Sequence, residues 1–325
     1  MKNGQAYLLK QPYLYDASYL ESVTREAMFY ELVKFDARFS DVRHIFPNSL
    51  DFDSQRKILI LDYTVEGKSL WQQLSQYRPM LIFNLIEEMQ EIGKLLATFH
   101  SIVVSSNEIS NISSKLHRSI SQFTQPQPQI LSQISAANFQ LLKIIQQQSG
   151  LCTSLEQLQS EWQVQSFIHG DLRFDNIVII PKNQDRNSSQ IKIVDWEFAD
   201  LGDPAWDIAT VFQELLSCWI YGLSDRQAPE DASANEQILK EMQAAMRSFW
   251  YGYRRMRLIS GIEANKLLRR SVRYCASRLV HAAYESLQYS FQLSYAAIYH
   301  VQVGANILRD QDSGSVHLLG IPFSV

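Results

Sequence analysis

The sequence of 325 residues predicts an α+β fold with two lobes, a small β-rich lobe over residues 1–66 and a large helical lobe over residues 67–325. Three observations predict this division. Short apolar runs of strand type flank one helical pattern near the N terminus. Residues 166–207 consist of short apolar runs of strand type separated by polar loops. In the segments around them, apolar residues recur at helical spacing. A chain of about 300 residues buries about 75% of its unfolded surface, which is enough for two lobes that share a cleft.

The first two elements are a strand and a helix that bring a lysine and a glutamate together. Residues 7–12 read as a strand on which Lys10 points inward. Residues 17–34 read as a helix, and Glu26 adjoins its apolar stripe, so Glu26 can reach Lys10. Glu31 lies on another face of the same helix and remains an alternative partner. The stripe consists of Leu20, Val23, Ala27 and Tyr30.

Two further strands complete the predicted small lobe. Residues 41–47 and 57–63 are expected to pair, with a polar turn between them. The second strand ends at Asp62 and Tyr63. It runs into residues 64–68, which would connect the two lobes.

The large lobe is predicted to begin with a long helix at residues 81–100, whose apolar residues recur at helical spacing and face the core. His100, at its end, is read as a packed or capping histidine. Three more helical patterns follow the polar loops, at residues 208–223, 235–256 and 264–308.

The most informative stretch lies between these helices. A short buried strand at residues 167–168 leads into a tight loop that carries Asp171 and Asn176 at its two ends. Both side chains can therefore face one cavity. Phosphoryl transfer from a nucleotide needs a carboxylate at the acceptor hydroxyl, plus an amide oxygen and a second carboxylate that hold Mg²⁺.

The second carboxylate is supplied by a predicted hairpin. Residues 177–180 form one strand, residues 181–190 form the turn, and residues 191–194 form the returning strand. The hairpin delivers Asp195 beside the loop that carries Asn176. The sequence thus predicts a site for phosphoryl transfer.

Three motifs lie in order along this stretch: H-G-D-x-x-x-x-N over residues 169–176, V-D-W-E over residues 194–197, and G-D-P-A-W-D over residues 202–207. Together they resemble the aminoglycoside phosphotransferase and choline kinase-like family, whose members are relatives of the protein kinases. The resemblance implies a two-lobed protein-kinase-like fold, ATP and Mg²⁺ as cofactors, and transfer of the γ-phosphoryl group to a hydroxyl.

The resemblance also implies roles for single residues. Asp171 would accept or orient the proton of the incoming hydroxyl. Asp207 would brace the catalytic loop, of which His169 would be a structural member. Arg173 would either neutralise phosphate charge in the transition state or pair with Asp175. The Mg²⁺ ligands would be Asn176, Asp195 and Glu197.

On the nucleotide side, the resemblance implies that Lys10 contacts the α- and β-phosphates and that Glu26 holds this lysine. Residues 64–68 are similar to the hinge segment whose backbone pairs with adenine. Asp62 and Tyr63, at the edge of that segment, would therefore line the nucleotide site.

One part of a kinase-like small lobe is missing from the sequence. Only nine residues precede Lys10, and Gly4 is the single glycine among them. Two strands of about five residues and a phosphate-covering loop need more chain than that. We expect the small lobe to be truncated and completed near residues 6–12 by a protein partner or a second copy. The alternatives are a gene that begins further upstream or a triphosphate held without a lid.

Composition excludes several classes of function. The net charge of −4 and the lack of a recognised reading module argue against nucleic-acid binding. No apolar run approaches about 20 residues and the first residues lack the pattern of a signal peptide, so no membrane association is expected. An odd number of widely spaced cysteines predicts a reducing, cytoplasmic setting without disulfides or a thiolate metal site. They are Cys152, Cys218 and Cys275.

The acceptor is predicted only as a class. Between residues 254 and 278 the chain has eight basic residues against one acid, Glu263, which disfavours polycationic aminoglycosides and favours a peptide or an acidic acceptor. Alternatively this is a solvated helix face that pairs with acids such as Glu230 and Asp231. Aromatic residues at 249–253 and 284–299 suggest either a cage for a quaternary ammonium or ordinary helix core. The basic residues are Arg254, Arg255, Arg257, Lys266, Arg269, Arg270, Arg273 and Arg278.

Two acceptors and one rival function follow. The acceptor is a small alcohol or a Ser or Thr hydroxyl of a peptide. The rival function is that of a catalytically silent nucleotide-binding partner or scaffold protein. The absent glycine loop favours the rival, whereas the presence of Asp171, Asn176 and Asp195 favours catalysis.

Overall fold

The computed structural model describes residues 6–12, 17–63, 66–75, 82–105, 108, 122–181, 189–224 and 232–323. Its small antiparallel sheets lie towards the N terminus and the middle of the chain, and long helices form the remainder. No helix in these ranges is both long enough and apolar enough to cross a membrane.

The N-terminal sheet has three antiparallel strands and one helix packed against it. Strand β1 is Ala6–Lys10, helix α1 is Ala17–Phe35, β2 is Ser49–Asp53 and β3 is Ile58–Tyr63. The strand order is β1-β3-β2, and the register pairs Lys10 with Leu59. Alternate residues of β3 are buried, as expected for a strand with one face on the core.

The prediction of a strand at residues 41–47 is wrong. Val42, Ile45 and Phe46 are all buried, and their spacing of three and four residues suits a helical turn rather than a strand. The structure accordingly forms a 3₁₀ turn at Arg43–Ile45. The partner of β3 is β2, which lies within the segment expected to be a turn, residues 48–55.

Two short sheets follow in the middle of the chain. Strand β4, Lys68–Ser69, pairs with β6, Ile177–Ile180, which forms the predicted hairpin with β7, Gln190–Ile193. Residues 182–188 of the hairpin turn lie outside the described part of the chain. Strand β5, Ser166–Ile168, pairs with β8, Asp200–Gly202, so both ends of the motif-bearing stretch lie side by side.

The helices of the large lobe include the predicted core helix α3, whose apolar stripe is buried from Leu85 to Phe99. Helix α3, Ile82–His100, crosses helix α8, Ala232–Arg257, at two glycines: a Cβ on Gly93 would clash with the Phe249 carbonyl oxygen, and one on Gly252 would clash with the Gln90 carbonyl oxygen. The helices are α2 Leu70–Ser75, α3 Ile82–His100, α4 Pro128–Leu131, α5 Ala136–Gln147, α6 Leu151–Ser160, α7 Pro204–Ser224, α8 Ala232–Arg257, α9 Gly261–Ser286, α10 Tyr295–Arg309 and α11 Gln311–His317.

The single helix predicted at residues 264–308 is in fact two. Helix α9 ends with Leu287 as its C-terminal cap, and Ser294 caps the start of α10 by accepting a hydrogen bond from the Ala297 amide. A serine that accepts such a bond satisfies one of the free amides of a new helix. The intervening residues therefore connect two helices rather than lie inside one.

An aromatic cluster centred on Trp196 connects the two parts of the fold. The indole is fully buried, stacks on Phe29 at 5.4 Å, and contacts Phe46 at 4.3 Å and Phe99 at 5.1 Å between ring centroids. Offset and edge contacts between such rings stabilise a fold beyond their buried area. Helix α1 is thereby fixed against the segment that follows β7.

Candidate active site

The loop between β5 and β6 is held in place by its own backbone and by Asp207. Gly170 has φ +82°, and a Cβ at this position would lie 2.6 Å from the Phe198 carbonyl oxygen, so only glycine fits. The Asp207 carboxylate accepts hydrogen bonds from the amides of His169 at 2.7 Å and Gly170 at 3.0 Å. Asp207 thus lies where the sequence placed it, bracing the loop from the first turn of α7.

Asp207 is fully buried and has a neutral imidazole as its further partner. Burial would raise the pKa of Asp207, but the hydrogen bond from His100 at 3.2 Å and the neighbouring amides hold it below its usual range. Burial lowers the pKa of His100. The neutral ring therefore donates Nε2–H to Asp207 and accepts at Nδ1 from the Tyr253 hydroxyl at 2.9 Å. His100 is a packed histidine, as predicted.

His169 is a structural member of the loop. Its Nδ1 accepts the Asp171 amide at 3.2 Å, which leaves Nε2–H to donate to the Val194 carbonyl at 2.9 Å. One ring therefore ties the position of Asp171 to the strand that precedes Asp195.

Asp171 has arginines on both of its carboxylate oxygens. Arg173 Nε lies 3.0 Å from Oδ2, and Arg278 Nη2 lies 3.5 Å from Oδ1. The alternative partner proposed for Arg173 was Asp175. Asp175 instead accepts a hydrogen bond from the Ser69 hydroxyl at 3.4 Å.

Asn176 and Asp195 are brought together by the hairpin of β6 and β7. The Val194 amide donates to the Asn176 carbonyl at 2.9 Å, so Asp195 directly follows a residue paired with Asn176. The Asn176 side-chain amide donates to the Asp171 carbonyl at 2.9 Å, and its oxygen remains the atom able to bind a cation. Asp195 adopts the left-handed conformation, with φ 66° and ψ 56°, which turns its carboxylate out of the strand.

Lys10 reaches the same place from the other side. Its ammonium lies 2.8 and 2.7 Å from the two oxygens of Glu26 and 2.5 Å from Asp195 Oδ1. Burial works against the charge, yet Glu26 and Asp195 together raise the pKa of Lys10. Glu31 is exposed, so of the two candidate partners on α1 the structure selects Glu26.

Glu26 is almost fully buried and is surrounded by donors. It accepts hydrogen bonds from Lys10, from the Tyr30 hydroxyl at 3.1 Å and from the Trp196 amide at 3.2 Å. Burial raises the pKa of Glu26, although the Lys10 charge opposes the shift. A buried carboxylate in this position depends on its lysine.

Other predicted site residues are not brought into this cluster. The Asp62 carboxylate accepts hydrogen bonds from the Asn48 amide and side chain, both at 2.6 Å, at the start of β2. Tyr63 is about half exposed. Of the predicted hinge, residues 64 and 65 lie outside the described part of the chain. Glu197 lies two residues beyond Asp195, and its carbonyl accepts a 3.5 Å hydrogen bond from Arg25.

The predicted Mg²⁺ ligands have the chemistry of a hard-cation site. Asn176 and Asp195 supply amide and carboxylate oxygens, which Mg²⁺ prefers. Within the described residues there is no group of three or more His, Cys, Asp or Glu side chains arranged around a single point.

The ion pairs of α9 favour the second interpretation of the basic residues, a helix face that pairs with acids. Four basic side chains of α9 have acidic partners of their own at distances of 2.6–3.0 Å. Their charges are therefore neutralised by these acids rather than by an acceptor. Glu230 and Asp231, the acids expected to do this, lie outside the described ranges. The pairs are Lys266 with Glu263, Arg269 with Asp312, Arg270 with Asp203, and Arg273 with Glu161.

The predicted aromatic stripes divide into two groups. Phe249 and Tyr253 are buried in the core of α8, as the helix-core interpretation predicts. Tyr289, Phe291 and Tyr295 are 75–89% exposed. In this second group, Tyr289 and Phe291 lie in the connection between α9 and α10, and Tyr295 begins α10.

Sequence reasoning missed two residues beside the catalytic loop. Glu214 accepts the Phe174 amide at 3.0 Å, and burial raises its pKa against the nearby charges of Arg278 and Arg173. It lies two helical turns after Asp207 on α7, a spacing that places both on one helix face. Arg278 is a charge in the middle of an apolar run of α9, which is itself an unusual pattern.

A separate cavity of about 780 Å³ lies between α1 and the paired strands β5 and β8. It is lined by Met28, Leu32, Phe167 and Leu201 among others. None of the predicted catalytic or metal-binding side chains lines it.

The sequence model of the phosphotransferase enzyme family matches residues 65–259. The matched segment includes the catalytic loop, Asp195 and Asp207, and it begins after Lys10 and Glu26. No curated protein matches the chain in sequence.

Several solved structures share the fold at low sequence identity. A choline/ethanolamine kinase family protein from Mesorhizobium loti has 14% identity and a TM-score of 0.51, over 96% of this chain and 85% of the other. A glucosamine kinase has 12% identity and a TM-score of 0.53, over 94% and 73% of the two chains. A mutant of aminoglycoside 2′-phosphotransferase IIIa, solved with GDP, has 12% identity and a TM-score of 0.51, over 96% and 87%. These similarities confirm the predicted kinase-like α+β fold.

Proposed function

The chain belongs to the phosphotransferase enzyme family, and we propose that it transfers the γ-phosphoryl group of ATP to a hydroxyl of a small molecule. One observation supports this most directly. Lys10, the loop that carries Asp171 and Asn176, and Asp195 come from three separate segments and converge on one place. A lysine for phosphates, oxygen donors for a metal and a carboxylate for a hydroxyl are the groups that this chemistry needs.

Lys10 binds the α- and β-phosphates in this proposal. Its two carboxylate partners hold the ammonium at the inner end of β1, so the charge is already in place when a nucleotide enters. A fixed charge costs little reorganisation during the reaction. Asp62 and Tyr63, at the end of β3, are proposed to border the nucleoside, next to the segment at residues 64–68.

Asn176 and Asp195 are proposed to hold Mg²⁺, with Glu197 as a further oxygen donor. Bound Mg²⁺ would neutralise charge on the β- and γ-phosphates. Asp195 Oδ1 is bound by Lys10 in the described structure, so a nucleotide that takes the lysine leaves this carboxylate free for the metal.

Asp171 is proposed to accept or orient the proton of the acceptor hydroxyl. Its carboxylate is 15% exposed, and the half-exposed Arg173 covers one oxygen. Arg173 is proposed to leave Asp171 for the transferring phosphoryl group, where a guanidinium stabilises developing negative charge.

A small alcohol is the acceptor that we favour. The four paired basic residues of α9 remove the main reason for expecting an acidic or peptide acceptor. The similar structures bear the names of choline, glucosamine and aminoglycoside kinases, although their identity to this chain is too low to select among these acceptors.

A second proposal concerns the free edge of the N-terminal sheet. Among the described strands, β1 pairs with β3 alone, and Leu9 is 61% exposed. We propose that a protein partner or a second copy of the chain covers β1, as unpaired edges tend to associate.

An acceptor screen with labelled ATP tests the function. The wild-type chain and Asp171→Asn would be assayed with amino alcohols, amino sugars, aminoglycosides, neutral polyols and Ser or Thr peptides, with GTP as a second donor. We expect label on a small alcohol with the wild-type chain only. Label on peptides alone would show that the acceptor is a peptide and not a small alcohol. Nucleotide binding without transfer to any acceptor would favour a catalytically silent binding protein.

A further inference from the structure

Arg278 is a buried charge with an unusual set of neighbours. Its side chain is 7% exposed in the middle of α9, and Nη2 lies 3.5 Å from Asp171 Oδ1. The guanidinium lies over the ring of Trp206, 5.4 Å from its centroid. Trp206 in turn donates its indole N–H to the Gly170 carbonyl at 2.9 Å, one residue before Asp171. Arg278 and Trp206 therefore contact the catalytic loop at two successive residues.

The other arginines of α9 serve the fold. Arg270 forms an ion pair at 2.9 Å with Asp203, which caps α7, and Arg273 forms one at 2.9 Å with Glu161. Arg278 has no such dedicated partner. Within the described part of the chain its ion pair is with Asp171, and its Nε makes no hydrogen bond.

A buried guanidinium is costly to the fold unless it is paired. Glu214 contributes a second negative charge near Arg278, but its carboxylate is already used by the Phe174 amide and the Gln213 side chain. The ion pair with Asp171, the residue proposed to meet the acceptor hydroxyl, therefore offsets part of the cost of burying Arg278.

Arg173 and Arg278 differ in freedom. The Arg173 side chain is 43% exposed and also lies 3.9 Å from Glu285, so it can exchange partners. Arg278 is enclosed by α9, Trp206 and the loop. An enclosed side chain has few rotamers to lose and holds its contact in one geometry.

On the basis of the phosphoryl transfer proposed above, we propose that Arg278 is a positioning residue, which fixes Asp171 Oδ1 and so directs Oδ2 towards the acceptor hydroxyl. Arg173 occupies Oδ2 until the substrates enter. With Oδ1 fixed by Arg278, the departure of Arg173 does not release the carboxylate. Misplacement of a reacting group by about 1 Å can cost about 100-fold in rate.

Three variants test this role. Arg278→Met keeps the length and apolar contact of the side chain, Arg278→Lys keeps the charge, and Arg273→Met removes a paired arginine five residues earlier on α9. We expect Arg278→Met to lower kcat by about 10- to 100-fold and to change the KM for ATP by less than about twofold. Arg278→Lys should recover part of the loss, and Arg273→Met should stay within about threefold of wild type.

Two kinetic results would overturn the proposal. One is a kcat for Arg278→Met within about twofold of wild type. The other is a fall in kcat that is equal for Arg278→Met and Arg273→Met and proportional to the thermal stability that each variant loses. Arg278 would then contribute only to the stability of the fold.

Hydrogen exchange of residues 169–176 gives a test that needs no acceptor. In Arg278→Met, amides around Asp171 should exchange faster, while those around Glu161 stay unchanged. If the Met variant does not fold, Arg278→Lys takes its place in this measurement. Unchanged exchange in the loop would refute positioning, whatever the activity. A wild-type protein that transfers phosphate to no acceptor would refute the proposed function, and faster loop exchange would still support the contact between Arg278 and Asp171.

Discussion

Lys10 and Asp195, 185 positions apart in sequence, form an ion pair of 2.5 Å that joins the N-terminal sheet to the segment after β7. Each is proposed to bind a different part of a metal–nucleotide complex, the lysine its phosphates and the aspartate its metal ion. Without that complex they neutralise each other. In this proposal, nucleotide binding is an exchange of ionic partners rather than the filling of an open site.

We predict that Asp171→Asn lowers turnover by about 10²- to 10⁴-fold, the range typical of general acid–base steps. An amide cannot accept the hydroxyl proton, but it keeps the size of the side chain. Nucleotide affinity, measured by calorimetry, should change little. A variant with the activity of the wild-type chain would show that Asp171 has no role in proton transfer.

Asp195→Ala should weaken Mg²⁺-dependent nucleotide binding by at least about tenfold, since even residues outside the first coordination sphere commonly have effects of this size. Binding without Mg²⁺ should fall less, because the released Lys10 remains available for phosphates. Calorimetry with and without Mg²⁺ measures both, and Asp53→Ala, at a surface turn, is the control. Equal losses in the two conditions would make Asp195 a structural residue.

Lys10→Met should raise the KM for ATP by about tenfold, which corresponds to about 1.4 kcal/mol of lost binding. The matched control is Lys34→Met, which removes an exposed lysine at the end of α1. Steady-state kinetics at several ATP concentrations separate KM from kcat. If both lysine variants keep the wild-type KM, the phosphates do not contact Lys10.

The stability of the protein should depend on pH through Glu88 of α3. Burial raises the pKa of Glu88 from its usual value of about 4.5 to about 7, and the neighbouring charge of Glu87 adds to the shift. The folded state therefore holds a proton that the unfolded state has lost, and stability falls as pH rises from about 4.5 through about 7. Glu88→Gln should remove this fall and add about 1–3 kcal/mol at pH 8. Urea unfolding at pH 4.5 and pH 8 measures it, with Glu91→Gln as the exposed control, and a gain of equal size at both pH values would contradict the assignment.

If a second copy of the chain or a protein partner covers β1, the protein should self-associate or should need that partner for activity. Leu9→Lys should weaken association by more than about tenfold, because it places a charge in the proposed contact. Ile262→Lys, at an equally exposed site on α9, should have no effect. Light scattering over a range of concentrations measures this. A monomer that binds ATP tightly and phosphorylates an acceptor alone would refute the need for a covering chain.

Much of the fold and of the candidate site could be predicted because both are local in sequence. The hairpin of β6 and β7, the loop from His169 to Asn176 and the buried stripe of α3 each follow from a pattern of fewer than about 20 residues. The position of Lys10 beside Glu26 also followed, from one strand and one helix. The predicted roles of these residues, and the division of the chain near residue 66, remain predictions.

The errors of prediction have other causes. Residues 41–47 contain enough apolar side chains for a strand, but their spacing suits a 3₁₀ turn that packs Ile45 into the core. The basic residues near residue 270 looked unpaired because their acidic partners, Glu161, Asp203 and Asp312, lie far away in sequence. Charge partners across helices are invisible to a reading along the chain, and Arg278 was missed for the same reason.

The contact between α1 and Trp196 has a mechanical consequence. Apolar rings and a backbone hydrogen bond to Glu26 attach this helix to the segment that contains Asp195, whereas β1 is attached to both by ions at Lys10. Separating the rings would expose them to water, while the ions can be exchanged for those of a ligand. Of the two attachments, the one at Lys10 is therefore the one that a charged ligand can replace.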